Sequence, residues 1–243
     1  MKKVLFSFRK IAVITMGVAL LSGFMVSCNK KDAVSTPIPA AGVMVFNLAA
    51  DQPAVGFALS GNVLSNVPLS YTSFNGFYQP VYTGTREIQA FGFNDSLFAK
   101  SSFTFDDQGQ YSVFLTGYNG KYQNVTVKDD IDSNATADKA YVRFINAIPD
   151  SVNVPKVTIT AGGSTVSDGA AAFNTVVPFT AVAGGDVKIA VTGTGVSAER
   201  TLQLVNGKVY TALLIGVPGA TDELKKVQIR YIENGTLPAA TDK

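Results

Sequence analysis

Beyond residue 42 the chain alternates short apolar runs with polar turns, and no stretch has the three-to-four-residue apolar spacing of an amphipathic helix. Residues 43–48 and 141–146 are short apolar openers, and residues 85–93 and 186–192 are rich in β-branched or aromatic side chains. Residues 97–105 alternate in part, with Phe103 and Phe105 on one face and Ser102 and Thr104 on the other. Residues 210–217 are apolar almost without a break, which suits a central strand buried on both faces. Asn119-Gly120 and Asn206-Gly207 each lie between strand-like runs and predict hairpins, as do Ser60-Gly61 and Gly162-Gly163. Gly193 to Ala198 fits a dinucleotide-binding glycine pattern formally, but a strand follows where the phosphate-holding helix is needed, so it reads as a hairpin. Closely spaced turns without helices predict β-sandwich architecture.

The pattern repeats. Residues 43–51 match residues 142–150 at an offset of 99, Phe74-Asn75 matches Phe173-Asn174, and residues 111–117 match residues 210–216 in the same register. The chain is thus two copies of one unit, each expected to have about seven strands. The expected fold class is all-β: two tandem Ig-like or prealbumin-like antiparallel β-sandwiches. The expected divisions are a signal at 1–27, a tether at 28–42, the first repeat at 43–128, a solvated linker at 129–139, the second repeat at 140–235 and a tail at 236–243. Paired residues have structural explanations. Asp51 and Asp150 are expected to bond the backbone of the next turn. Asn47 and Asn146 are expected to satisfy loop backbone groups, and Tyr111 and Tyr210 to be core or corner tyrosines.

Ala147-Ile148-Pro149-Asp150 after a strand, followed later by Tyr210-Thr211 through Gly216, resembles the bacterial domain-of-unknown-function family 4397. The first copy carries a looser version, from Ala49 to Val55 and from Tyr111 through Gly117. The resemblance covers most of the chain after the signal. It implies an exported bacterial lipoprotein with tandem domains, and it brings no assigned activity.

The first 28 residues carry an address. Lys2, Lys3, Arg9 and Lys10 precede 16 uncharged residues from Ile11 to Val26, the layout of a secretory signal and too short for a spanning helix. Met25-Val26-Ser27-Cys28 resembles the bacterial lipobox, with Met25 in place of the usual Leu. Cys28 is the one Cys in 243 residues, so it has no disulfide partner within the chain. The resemblance implies that Cys28 becomes lipidated and anchors the chain to a membrane, which takes more than one acyl chain. Asn29 argues against inner-membrane retention, so the outer membrane is expected, on either its periplasmic or its surface face. The tether reaches at most about 50 Å.

Without the signal, 16 basic residues face 18 acidic ones, and no basic cluster suggests nucleic acid. The chain has no His, which removes Ser-His-Asp and Cys-His catalysis and His-containing zinc sites. No cofactor is expected. The four Glu of the mature chain, Glu87, Glu199, Glu223 and Glu233, leave little for a carboxylate-only hydrolase. Asp130, Asp132 and Asn134 occupy three positions of a calcium loop, but Ala135 stands where the loop needs Gly and Tyr141 where it needs Glu.

The aromatic residues are unevenly shared. From Phe46 to Tyr122 there are 16 Phe or Tyr, and from Tyr141 to Tyr231 only six. Tyr71, Phe77, Tyr78, Tyr82, Tyr118 and Tyr122 lie in or beside expected turns, where tyrosine offers rigid amphipathic contact surface for a glycan or an envelope protein. If they bind a ligand they should form one exposed patch. If the chain is a spacer or assembly subunit they should be buried or lie between the copies.

Overall fold

The computed structural model describes residues 37–65, 67–131, 135–149 and 154–237. Cys28, Asp132, Asn134 and Asp150 lie outside the described residues. Residues from Pro39 onward form one compact unit.

The first copy contains β1 (Ala40–Asn47), β2 (Gly56–Leu59), β3 (Asn62–Val63), β4 (Gln79–Tyr82), β5 (Gly84–Phe91), β6 (Leu97–Phe105), β7 (Gln110–Tyr118) and β8 (Lys121–Lys128). The second contains β9 (Ala140–Asn146), β10 (Lys156–Ala161), β11 (Ser164–Ala170), β12 (Thr180–Val182), β13 (Gly185–Gly193), β14 (Val196–Leu204), β15 (Lys208–Ile215) and β16 (Gln228–Thr236). Among the described residues each copy therefore has eight strands rather than about seven, the short β3, β4 and β12 being edge strands. The sheets follow the same order in both copies: β3-β2-β5-β6 faces β4-β1-β7-β8, and β11-β10-β13-β14 faces β12-β9-β15-β16. Pairing is antiparallel except where β1 meets β7 and β9 meets β15. Those two parallel pairs become possible because the rest of each sandwich is the crossover between their strands.

Three expected hairpins form as two-residue turns. Ser60-Gly61, Asn119-Gly120 and Gly162-Gly163 all have φ between 48° and 85°, the left-handed geometry that matches strand twist. Asn206-Gly207 does not make a hairpin. β14 pairs with β13, whereas β15 pairs with β9 and β16, so this turn carries the chain from one sheet to the facing one. Gly207 still needs its φ of 78°, and the Asn206 side-chain oxygen accepts the Gly184 N–H at 2.7 Å. A turn signal reports backbone geometry, not whether the flanking strands pair.

The long apolar runs have a specific cause. In β1, Ala41, Val43 and Val45 face the core of the first sandwich, while Met44 and Phe46 face away from it. In β15, Tyr210, Ala212 and Leu214 face the second core, while Leu213 and Ile215 face away. The outward sets of the two copies meet in a third, central core with Phe114, Ile145 and Ile232. The molecule is thus four stacked sheets with three hydrophobic layers. This accounts for part of the aromatic surplus: Phe46, Phe74 and Phe114 fill the central layer from the first copy, while the second copy supplies aliphatic groups there; further rings, such as Phe57, Phe103 and Phe105, pack in or against the first copy's own core.

The repeated polar residues support the frame. Asn47 donates to the Gln52 and Leu69 carbonyls and accepts the Ala49 N–H; Asn146 donates to the Ala171 carbonyl and accepts the Ile148 N–H. The Tyr111 and Tyr210 hydroxyls accept N–H groups five residues upstream, from Asp106 and Val205, as corner tyrosines do. Tyr141 does the same with Thr136. Asp51 differs from expectation. It accepts the Asn119 N–H and the Tyr122 hydroxyl, both at 2.8 Å, so it ties the β1–β2 loop to the β7–β8 hairpin rather than capping its own turn.

Candidate functional site

The seam between the copies is apolar in the middle and polar towards one end. β1 and β7 run in parallel, so Ala40 and Gln110 lie at one end, called here the near end, and Asn47 and Tyr118 lie towards the other, the far end. At the near end Arg143 and Asp129 form an ion pair of 2.6 Å with each side chain 2% exposed. Asp129 was expected in a solvated linker. It is instead held at the seam, because it also accepts the Tyr78 and Ser112 hydroxyls at 2.6 Å each. Arg143 donates to Thr211 and Ser112 at 3.0 Å each and lies 4.3 Å from the Phe179 ring centroid. Thr211 donates to Asn234 at 2.7 Å. Burial and the neighbouring Asp129 carboxylate push the Tyr78 hydroxyl well above its ordinary pKa.

Two clefts open where the seam reaches solvent. The near-end cleft, about 340 Å³, includes Tyr78, Asp129, Phe179 and Asn234. The far-end cleft, about 350 Å³, is lined by Tyr118, Lys121 and Gln123 of the first copy and by Pro149 and Phe173 of the second. A third hollow of about 500 Å³ lies on the flank of the first copy, among Val63, Val67, Phe77 and Pro80.

The six rings singled out from the sequence are dispersed over these places. Tyr71 and Tyr78 pack against the central core between the copies. Burial pushes the Tyr71 hydroxyl up to about 12. Tyr118 lines the far-end cleft; Tyr122 also borders it, but its ring packs on Phe98 and its hydroxyl bonds Asp51. Phe77 is exposed beside the flank hollow, and Tyr82 is exposed on the edge strand β4. Among the described residues they do not form one patch.

The four Glu carboxylates are engaged in ion pairs. Glu87, Glu199 and Glu233 pair with Lys100, Lys188 and Lys208 at 2.6–2.8 Å, and Glu223 pairs with Lys226. Asp130, of the calcium candidates, lies 3.7 Å from Lys128. No group of three or more acidic or Cys side chains able to hold a metal occurs among the described residues. No helix among them is long and apolar enough to cross a membrane.

The seam residues Arg143, Ser112, Thr211 and Asn234 and the cleft residues Pro149 and Phe173 went unassigned from sequence. Arg143 carried a usable signal: it interrupts an apolar strand at the place Met44 occupies in the first copy.

The family model described as "Domain of unknown function (DUF4397)" matches twice, over residues 41–155 and 140–242. The chain belongs to this family. Its two family domains correspond to the two copies of the sandwich. Among solved structures, the chain is similar to a protein of Bacteroides eggerthii DSM 20697 described as a "putative cell adhesion protein", at 12% identity and a TM-score of 0.21, over 83% of this chain and 97% of that one. No curated protein sequence matches the chain.

Proposed function

We propose that this chain is a non-enzymatic cell-envelope lipoprotein, a binding or adhesion module carried on a lipid at Cys28 in the outer membrane. The supporting observation is the polarity of β7 relative to β1. The tether joins the folded body at Ala40, beside Gln108 and Gly109, and the Tyr118 cleft lies at the opposite end of β7. Nine residues of strand separate the two ends by roughly 25–30 Å. An anchor at one end and an open, ring-lined cleft at the other is the arrangement of a display module.

Fractionation with acyl labelling tests the anchor. The wild-type protein should take up labelled palmitate and pellet with outer membranes, and Cys28→Ala should do neither. Protease added to intact cells then tests display: digestion of the far-end loops fits adhesion at the surface, and full protection contradicts it.

The burial of Tyr71 and Tyr78 at the seam favours a second reading, a spacer or assembly subunit without its own ligand. In that case the far-end cleft binds nothing, and loss of the protein disturbs an envelope assembly instead.

A further inference from the structure

We propose that the far-end cleft is a saccharide site, taking one or two pyranose rings between Tyr118 and Phe173. This rests on the binding-module reading and gives it a ligand class. Ser112 and Phe114 of β7 point to the seam, and Tyr118 at the end of that strand lines the cleft together with Pro149 and Phe173 of the second copy. Lys121 stands directly opposite Tyr118 in the hairpin register, and Gln123 lies two residues further along the same face of β8. Phe173 and Pro149 arrive from the second copy, so the cleft exists only because the copies are packed together.

Both rings are half-buried, which fixes them while leaving a face open. The apolar C–H face of a pyranose stacks on such rings, and its equatorial hydroxyls reach outward to hydrogen-bonding groups. Lys121 and Gln123 are exposed and supply donors, and Gln123 an acceptor, at that position. Among the described residues no carboxylate lines the cleft. The volume of about 350 Å³ lies at the small end of ligand sites and suits one or two rings. A protein partner would need about 800 Å² on each side and would have to reach well beyond the cleft.

The test is saturation-transfer NMR on the chain from residue 29 onward, with cellobiose, chitobiose and maltose as probes and indole as the aromatic alternative. At least one disaccharide should receive transfer, strongest at its ring C–H protons. Tyr118→Ala and Phe173→Ala should each weaken it about tenfold. The exposed double variant Lys121→Ala/Gln123→Ala should weaken it without touching the packing, and Phe77→Ala on the flank should leave it unchanged. No transfer to any of the three sugars, transfer that survives all the cleft substitutions, or binding of indole alone overturns the assignment. Such a result leaves lipidation and envelope fractionation, read separately, as they stand.

Discussion

Arg143 of the second copy and Asp129 at the end of the first copy's last strand form a 2.6 Å ion pair with only 2% of either side chain exposed. A buried pair of this kind adds little net stability over an apolar substitute, but removing one partner leaves the other charge uncompensated. Arg143→Ala should therefore cost about 3–5 kcal/mol in urea unfolding. Asp129→Asn/Arg143→Met together should cost less than the sum of the single changes, because no isolated charge is left. A strictly additive pair would mean that the two groups do not interact across the seam.

Gly117 and Gly216 occupy one place in the two copies, with φ of 124° and 110°. A Cβ at Gly117 would lie 2.0 Å from the Lys121 carbonyl oxygen, and one at Gly216 would lie 2.3 Å from that of Lys226. Gly117→Ala and Gly216→Ala should each destabilise by about 2 kcal/mol or more, since both backbone strain and a clash are imposed. Gly120→Ala, with φ of 79° but open space around it, should cost only about 1 kcal/mol. Equal losses at positions 117 and 120 would argue against the close approach.

Stability at high pH follows from the seam tyrosines. Burial raises the Tyr71 hydroxyl to about 12 and raises Tyr78 in the same direction, whereas unfolded tyrosine ionises near 10. The unfolded chain loses these protons first. The contribution is complete below about pH 10 and is lost as pH rises through the folded values. Melting temperatures should fall steeply above about pH 10, and Tyr71→Phe should make the fall shallower. An unchanged profile in that variant would remove Tyr71 from the account.

The central core of Phe46, Phe114, Ile145 and Leu213 joins the copies by apolar burial, so it should hold them together without a covalent link. A protease site introduced at residues 132–134 and cut should leave both halves eluting as one species in gel filtration. Separation of the halves at micromolar concentration would show the seam to be weaker than its burial indicates.

Much of this architecture was legible from hydrophobic spacing. The offset of 99 identifies the equivalent strands, and the paired Asn47 and Asn146 occupy the loop-satisfying role that their side chains suggest. The continuous apolar run at 210–217 announced burial on both faces, but its second face meets the other copy, which spacing along one strand does not reveal. The Asn206-Gly207 turn departs from the expected hairpin because its backbone geometry serves a change of sheet equally well. The burial of Asp129 is not legible from the polar residues around it, because its three partners, Tyr78, Ser112 and Arg143, are distant in the chain. The dispersal of the six aromatic candidates follows from the same gap, since a ring near a turn can face a seam, a cleft or solvent.

The central claim is that two sandwich copies form one body, with the far-end cleft built jointly by both. Differential scanning calorimetry of the chain from residue 29 onward tests this most directly. A single transition is predicted, with calorimetric and van't Hoff enthalpies equal, and Ile145→Ala at the central core should lower it as a whole. Two separate transitions, with only the second copy's responding to Ile145→Ala, would contradict it.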